Sequence, residues 1–300
     1  MKITSKQTRT TRKVRALKSL PMLALAVLAM FGVAAPASAV PILGSALKSF
    51  AVLGAEGGVT NVPTSTIGGN LGATNPSVGG GYVFTAGSAQ PNTALAQQAQ
   101  LDLDAAIVAL SAFGPGTNLG PSLGGTIGPG TYTVTAAVTP NLAGALILDG
   151  GGSNSAVWVF QFPSTFITST TSTVSVVNVG DGANVGIYWN VHSAATLDGN
   201  TFAGNVLAHD LISSDGNLTL ACGRLLSAET QVTLNQDNIS IGCSTGMNST
   251  DITGAGSLVA NSGGFDQGLG AGPSGVPEPG SLALLGLGLA ALGLLRRRRG

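Results

Sequence analysis

Glycines recur at a fixed interval in the second half of the chain, and this interval limits the fold more than any other feature. Gly204, Gly223 and Gly242 are equally spaced along the sequence. A period of about 20 residues is typical of a solenoid, in which each coil stacks its inward side chains on the next. The period therefore favours a β-solenoid over a β-sandwich. The apolar residues that repeat at the same interval, and that we expect at matching strand positions, are Ile187, Val206 and Leu225.

Short β-branched runs separated by Gly, Asn and Asp turns support an all-β fold. The similarity between coils is clear in the C-terminal half and blurred before Ala156. The predicted strands are Ala156–Phe162, Thr173–Val179, Val185–Val191, Asn205–Ala208, Arg224–Ser227 and Gln231–Leu234.

One segment departs from this pattern and predicts an amphipathic helix. Asn92 or Thr93 can cap its start, and Gly114-Pro115-Gly116 ends it after about Phe113. We expect its apolar stripe to pack along one side of the solenoid. The stripe consists of Leu95, Ala99, Leu103, Ala106, Ile107 and Leu110.

The N-terminal residues 1–39 have the pattern of a secretory signal peptide. Seven basic residues precede an apolar run over Leu20–Ala35, and Ala37-Ser38-Ala39 follows as a small-residue cleavage site. A membrane anchor fits less well, because a span needs about 17–25 apolar residues. We therefore predict export, with cleavage after Ala39.

The C-terminal residues 276–300 have the pattern of a sorting tail. Val276-Pro277-Glu278-Pro279 precedes the apolar segment Ser281–Leu295, and Arg296–Arg299 follow. The apolar segment is marginal for a permanent span, and the arginines stay on the cytoplasmic side. We predict a transmembrane, inner-membrane intermediate followed by display at the cell surface or in the extracellular matrix.

The neutral net charge of the whole chain conceals an acidic central region. Seven of the 13 Lys and Arg residues lie in the signal peptide and four in the tail, which leaves Lys48 and Arg224. Twelve of the 13 acidic residues remain, all but Glu278, so the formal charge of the exported part is about −10. Such a surface repels phosphate backbones, which argues against a nucleic-acid partner.

The sequence offers few groups for catalysis, metal binding or cofactor binding, and we predict none of these. Gly242-Cys243-Ser244-Thr245-Gly246 fits the nucleophile-elbow pattern, but no histidine follows His209. Cys222 and Cys243 are the two cysteines. In an oxidising compartment they predict a disulfide rather than a metal site, and a free buried pair is the alternative.

Many motifs in order along residues 42–243 resemble the ice-binding β-solenoid family, and the tail resembles the PEP-CTERM sorting signal through its Val-Pro-Glu-Pro motif, apolar stretch and arginines. The motifs are Leu43-Gly44-Ser45-Ala46, Phe50–Gly54, Val59-Thr60-Asn61, Gly68–Gly72, Ala99-Gln100-Leu101-Asp102, Gly128–Tyr132, Ala156–Gln161, Val185–Trp189, Gly204–Ala208 and Gly223–Leu226.

The resemblance implies a right-handed β-solenoid of triangular cross-section with one long α-helix alongside. It also implies an ice crystal surface as partner for one flat Thr/Ser/Ala face, and an exosortase-type enzyme as partner for Val276-Pro277-Glu278-Pro279. The alternative is a structural or adhesive matrix protein that uses the same solenoid without ice activity, with extracellular polysaccharide as a further partner.

Stiff β-branched Thr side chains, with methyl and hydroxyl groups on a rigid array, suit a face that contacts ice. The terminal patterns, the repeat and the composition together divide the chain into residues 1–39 (signal peptide), 40–246 (solenoid), 247–275 (Gly/Ser-rich linker) and 276–300 (sorting tail). The candidate ice-contacting residues are Thr60, Thr64, Thr66, Thr168, Thr170, Thr171, Ser193, Thr196, Ser213 and Ser214.

Overall fold

A computed structural model describes residues 42–135, 140–180, 185–199 and 201–243. The predicted signal peptide, linker and sorting tail lie outside these residues. Within them the chain forms parallel β-strands that stack as the coils of a solenoid, and one α-helix lies alongside. Each of the last complete coils contributes a strand to three faces, which we call the helix face, the five-strand face and the third face.

The central strands of the helix face are buried on both sides of the sheet. Its inner side chains fill the solenoid, and its outer side chains pack under the helix. The strands of this face are β1 (Phe50–Gly54), β4 (Asn70–Ala73), β6 (Ala89–Pro91), β7 (Thr117–Asn118), β9 (Gly130–Thr133), β11 (Val157–Phe162), β14 (Gly186–Val191) and the second halves of β16 (Thr201–Ala208) and β18 (Thr219–Ser227). The strands toward its ends, β6, β7 and β9, are partly or fully exposed.

The other two faces have one side toward the core and one toward solvent. The five-strand face consists of β2 (Gly58–Val62), β12 (Phe166–Ile167), β15 (Ala195–Leu197), β17 (Ile212–Ser214) and β19 (Gln231–Asn235). The third face consists of β3 (Ser65–Gly68), β5 (Tyr82–Ala86), β8 (Leu123–Ile127), β10 (Leu142–Asp149), β13 (Thr173–Val177), β20 (Asn238–Ser240) and the first halves of β16 and β18.

The order of coils in the stack differs from their order in the chain. The N-terminal coil stacks on the C-terminal one, because β1 pairs with β18, β2 with β19 and β3 with β20. After β6 the chain enters the helix α1 (Ala94–Ser111), which contacts β6, β4, β1 and β14 along the helix face. The strands that follow α1 start the stack of coils at the opposite end.

The coils vary in length, which corrects one sequence-based prediction. Gly204 pairs with Gly223, one glycine interval further on, as predicted. Ile187 was expected to match Val206, but the residue opposite Val206 is Trp189, so this coil is shorter than the glycine interval. The preceding coil is instead much longer, because Trp158 pairs with Ile187. These unequal lengths explain why the repeat is blurred before Ala156.

The helix α1 begins and packs largely as predicted. The Thr93 hydroxyl accepts a hydrogen bond from the amide of Ala96 at 3.2 Å, as an N-cap does. Leu95 is 38% exposed and does not belong to the buried stripe, which corrects the prediction. A short 3-10 helix over Leu47–Ser49 packs beside α1. The helix buries Ala96, Ala99, Leu103, Ala106 and Leu110 against the helix face.

Aromatic rings stack on one another in the solenoid interior. Trp189 stacks on Phe160 with centroids 4.4 Å apart and on Phe166 at 5.4 Å. Phe202 of the next coil continues the contact at 4.9 Å from Trp189. Such offset ring contacts add stabilisation beyond the burial of apolar area.

A disulfide joins Cys222 to Cys243 across one coil, with an S–S distance of 2.15 Å. Cys222 lies at a corner of β18 with φ of +57°. Among the described residues, no helix is long and apolar enough to cross a membrane. The predicted apolar segment Ser281–Leu295 lies outside them.

Candidate functional site

The five-strand face is half-buried because side chains alternate along each of its strands. Inward residues form one continuous apolar column, and outward residues reach solvent. The inward column consists of Phe166, Ala195, Ile212, Val232 and Val59, all fully buried.

The outward column of this face carries hydroxyl groups on four adjacent coils. Thr196 pairs with Ser213, Ser213 with Thr233, and Thr233 with Thr60. Ile167 precedes Thr196 at the far end of the column. Because neighbouring parallel strands lie about 4.8 Å apart, the five residues form a row about 19 Å long.

Hydrogen bonds between coils hold part of this row in place. Thr60 Oγ1 donates to Thr233 Oγ1 at 3.0 Å, and Ser213 Oγ donates to Thr196 Oγ1 at 3.3 Å. Thr196 and Thr60 are also stiff at χ1, as β-branched side chains are. We call this row, from Ile167 to Thr60, the hydroxyl row.

Negative charges lie at both margins of the five-strand face. Asp198 and Asp215 lie two positions beyond Thr196 and Ser213, on the same side of the sheet. At the opposite margin, His209 Nδ1 lies 3.2 Å from Asp210, and His209 Nε2 lies 3.3 Å from Glu229. The hydroxyl row itself carries no charge.

The third face also presents an outward row of threonines, but its sheet is less regular. Two of its strand pairs contain a register shift, whereas the pairs of the five-strand face contain none. The next small residues along its strands are buried on four successive coils, so they present little surface to solvent. The row consists of Thr173, Thr201, Thr219, Asn238 and Thr66. The buried residues are Ala203, Ala221, Ser240 and Gly68.

The structure distributes the ten sequence-predicted candidates over several surfaces. Thr60, Thr196 and Ser213 come together in the hydroxyl row, whereas Thr66 lies on the third face. The Ser193 hydroxyl, at a corner, donates to Asp210 at 3.1 Å. The exposed residues in turns are Thr64, Thr170 and Thr171.

Two candidates have inward side chains. Ser214 is 4% exposed, and its hydroxyl donates to Asp237 at 2.8 Å. Thr168 is 3% exposed, and its hydroxyl donates to the backbone carbonyl of Asp198. Their burial removes both from the set of residues that can contact a surface.

Sequence reasoning missed Thr233, which lies between Ser213 and Thr60 in the row. The signal was present, because Val232 and Leu234 are apolar and therefore turn inward, which turns Thr233 outward. Glu229 and Gln231 precede Thr233 in the sequence. Both residues lie at the margin of the face rather than in the row.

Two family models match the chain in separate regions. The model described as Ice-binding-like matches residues 53–240. The model described as the PEP-CTERM protein-sorting motif matches residues 275–299. The first match covers the described solenoid from the end of β1 to the end of β20, and the second covers the predicted sorting tail.

Relatives of known sequence and structure agree with these matches. An ice-binding protein of Nostoc sp. (strain HG1) is 33% identical over 275 residues, which is 90% of this chain and 91% of that protein. The crystal structure of an ice-binding protein from the Antarctic ascomycete Antarctomyces psychrotrophicus is 32% identical, with a TM-score of 0.58. That comparison covers 66% of this chain and 98% of the fungal chain.

A second solved structure has the same fold. It is an ice-binding protein from an Antarctic biological consortium, 27% identical with a TM-score of 0.57, and the comparison covers 67% of this chain and 91% of that one. The stacked parallel coils, the helix alongside and the extent of these matches together identify the family. The chain belongs to the ice-binding-like family and carries a PEP-CTERM protein-sorting motif.

Proposed function

We propose that this protein is an exported ice-binding protein that adsorbs to ice crystals through the five-strand face. The observation that carries the proposal is the hydroxyl row, in which Thr196, Ser213, Thr233 and Thr60 follow one another on adjacent coils. The named relatives are themselves ice-binding proteins, which supports the same activity here.

The chemistry of the row suits contact with ordered water. Threonine methyl groups favour an ordered first shell of water, and the hydroxyl groups can anchor that shell by hydrogen bonds. Because the sheet beneath is continuous and unshifted, the groups are held in a fixed array before they meet ice. Little conformational entropy is then lost on adsorption, which favours binding.

The third face is the weaker choice for this role. Its outward threonines form a single row, and a register shift between β3 and β5 breaks its regularity. On the five-strand face, partly exposed residues flank the row on both sides, so a two-dimensional surface is offered. The flanking residues are Ala194, Leu211 and Gln231 on one side and Asp198, Asp215 and Asn235 on the other.

The test uses purified residues 40–246 and measures ice-crystal shaping, thermal hysteresis and inhibition of recrystallisation. This part should fold alone, since 66% of this chain accounts for 98% of the fungal ice-binding protein. Ser213→Tyr places a bulky ring in the middle of the hydroxyl row. We expect it to need roughly tenfold more protein for the same hysteresis, which corresponds to a loss of about 1.4 kcal/mol in adsorption free energy.

The matched control is Thr219→Tyr, at an outward position of the third face on the same coil. It should leave hysteresis unchanged, and both variants should keep the circular dichroism spectrum of the parent. If Thr219→Tyr abolishes activity and Ser213→Tyr does not, the third face is the ice contact. Unshaped ice at high concentrations of the parent would instead favour the structural or adhesive role.

We also propose that an exosortase-type enzyme recognises Val276-Pro277-Glu278-Pro279 and releases the protein to the cell surface. The match of residues 275–299 to the PEP-CTERM motif supports this route. A Pro277→Ala and Glu278→Ala double variant should accumulate in the membrane fraction with its tail intact, as intact-mass measurement would show. Normal release of the variant would contradict the proposal.

A further inference from the structure

Three side chains that can bind a metal ion meet at the corner between the helix face and the five-strand face. His209 and Asp210 follow β16, and Glu229 follows β18 on the next coil. One ligand atom from each residue lies within 4.8 Å of the other two, and the described part of the chain holds no other group of this kind. We call these three residues the corner cluster.

Hydrogen bonds between coils hold the corner cluster in place. The amide of Glu229 donates to the carbonyl of His209 at 3.0 Å, so the two coils are joined at this point. The Asp210 carboxylate accepts from the Ser193 hydroxyl at 3.1 Å, and the Asp210 carbonyl accepts from the Ser227 hydroxyl at 2.7 Å. Contacts of this kind orient the side chains that bind metal ions. The cluster is therefore positioned by the fold and not by its own contacts alone.

The two contacts of the His209 ring require a cation in one of them. Nδ1 lies 3.2 Å from Asp210 Oδ1, and Nε2 lies 3.3 Å from Glu229 Oε1. A neutral imidazole carries one N–H group, so it can donate to only one of these carboxylates. The other ring nitrogen would direct its lone pair at a carboxylate oxygen, which is repulsive. Either a second proton or a metal ion must therefore occupy that contact.

We infer that the corner cluster binds a divalent metal ion such as Zn²⁺ through one imidazole nitrogen and two carboxylate oxygens. Two ligands of a tetrahedral Zn²⁺ lie roughly 3.3–3.4 Å apart, since each is about 2.0–2.1 Å from the ion. The distance of 3.3 Å from His209 Nε2 to Glu229 Oε1 already matches this separation. The third ligand then needs only a rotation of the Asp210 side chain, which is 42% exposed. Water would fill the fourth position.

The ligand set determines the class of metal. Imidazole nitrogen suits Zn²⁺, Cu²⁺ and Ni²⁺, whereas Ca²⁺ and Mg²⁺ bind to oxygen. Three protein ligands are also few for Ca²⁺, which takes about six to eight oxygens. The side chains of His209 and Glu229 are 49% and 61% exposed, so an ion can enter directly from solvent.

A further carboxylate makes this corner more negative. Burial raises the pKa of Asp104 most, the negative charge of Glu229 raises it further, and His209 lowers it. The Asp104 carboxylate of α1 thus lies within electrostatic range of two members of the corner cluster. Together with Asp210 it brings three negative charges to one corner, and a divalent cation offsets two of them. The surroundings of the cluster therefore favour a cation.

A bound ion would join two coils of the solenoid. His209 and Asp210 belong to one coil and Glu229 to the next, so an ion that binds all three residues can bind only the folded chain. Binding to the folded state alone raises the stability of that state. The inference does not depend on ice binding, because it rests on the corner cluster, which lies outside the hydroxyl row.

The first test is thermal unfolding of untagged, chelator-treated residues 40–246 at neutral pH, with and without Zn²⁺. Zn²⁺ at about 100 times its dissociation constant should raise the unfolding midpoint by roughly 5–10 °C. His209→Gln, which keeps a polar side chain of similar size, should abolish the shift. The control His192→Gln removes the other histidine and should keep it. An equal shift with Ca²⁺, or a shift that survives His209→Gln, would overturn the inference.

The second test observes the ring nitrogens by NMR and does not depend on a change in stability. Residues 40–246 contain two histidines, so labelling histidine with a nitrogen isotope gives two sets of ring signals. The His192→Gln variant assigns them. Zn²⁺ in equimolar amount should shift the ring nitrogens of His209 and leave those of His192 unchanged. An unshifted His209 ring in excess Zn²⁺ would mean that a proton alone occupies its second contact, and the metal site would be refuted.

Discussion

Asp237 organises the corner between the five-strand face and the third face. Its carboxylate accepts hydrogen bonds from the Ser214 hydroxyl at 2.8 Å and from the amides of Leu218 and Asn235, each at 2.9 Å. The residue is 1% exposed. These contacts join two successive coils, because Ser214 and Leu218 precede Asp237 by about one turn of the solenoid.

Replacing this carboxylate should destabilise the fold. In Asp237→Asn, the new side-chain NH2 group would face the backbone N–H of Asn235, so this buried N–H would lose its acceptor. A buried unsatisfied donor costs about 1–3 kcal/mol, and we expect the free energy of unfolding to fall by that amount. Urea denaturation measures it. Asp149→Asn is the control at the half-exposed end of β10, where the carboxylate also accepts hydrogen bonds. An equal loss in both variants would contradict the role of burial.

The same residue predicts a pH dependence of stability. Burial raises the pKa of Asp237, and the three hydrogen bonds offset this only in part. The folded state then binds the Asp237 proton more tightly than the unfolded chain, whose Asp has a pKa of about 3.9. Above its raised pKa, ionised Asp237 lowers the free energy of unfolding. This loss disappears as the pH falls to the pKa of Asp in the unfolded chain.

Denaturation of the parent and of Asp237→Asn at a series of pH values measures this effect. Because the variant cannot ionise at this position, the difference between the two unfolding free energies isolates Asp237. As the pH falls from neutral toward about 4, the free energy of unfolding of the parent should rise relative to that of Asp237→Asn. A fall of the parent's free energy of unfolding relative to the variant's would mean that the hydrogen bonds affect the pKa of Asp237 more than burial does.

The burial of Arg224 could not be predicted from the sequence. Arg224 counted among the few cations of the exported part, yet it is fully buried. Its guanidinium donates to Asn205 Oδ1 and to the carbonyl of Lys48, each at 2.8 Å. A strand position alone does not predict this, because the covering segment comes from the opposite end of the sequence.

At the scale of the element, α1 separates a buried side from an exposed side, and matched substitutions can compare them. Leu103 is fully buried against the helix face, and Leu101 is 62% exposed. Leu103→Ala should lower the free energy of unfolding by about 2–5 kcal/mol, because a cavity replaces the lost side chain. Leu101→Ala should change it by less than about 0.5 kcal/mol.

Thermal or urea denaturation measures both changes. Similar losses in the two variants would mean that the solenoid does not bury this helix in solution.

The helix shows how far periodicity predicts an element. Capping by Thr93 and the helical period of the apolar residues predicted its position and four of its five buried residues. Leu95 was assigned to the wrong side because it lies in the first turn, where a stripe is ambiguous by one position. Ala96, which is fully buried, takes its place.

At the scale of the whole molecule, the stack of coils was predictable and the composition of each face was not. The glycine interval from Gly204 to Gly223 predicted stacking correctly. The assignment of a residue to a face depends on coil length, which is long from Trp158 to Ile187 and short from Trp189 to Val206. Thr170, for example, lies in the turn between β12 and β13 rather than on a face. The candidates were therefore scattered, although their residue types were apt.

The charge of the whole molecule bears on the proposed ice contact. Residues 40–275 contain twelve acidic and two basic residues, and Asp198 and Asp215 border the hydroxyl row. In the described part of the chain, both residues make their hydrogen bonds through the backbone, for example Asp215 through its carbonyl to Asn235. An ionised carboxylate keeps its own hydration, which does not match the water of an ice surface. These two charges should therefore weaken adsorption.

Neutralising them should increase activity. We expect the Asp198→Asn and Asp215→Asn double variant to need roughly fivefold less protein for the same hysteresis, a gain of about 1 kcal/mol. Stability should change by less than about 0.5 kcal/mol, since the altered side chains are at the surface. Asp149→Asn, on the third face, is the control for a lower net charge. A loss of hysteresis in the double variant would place the carboxylates within the ice contact, and an equal gain in the control would make the effect one of overall charge.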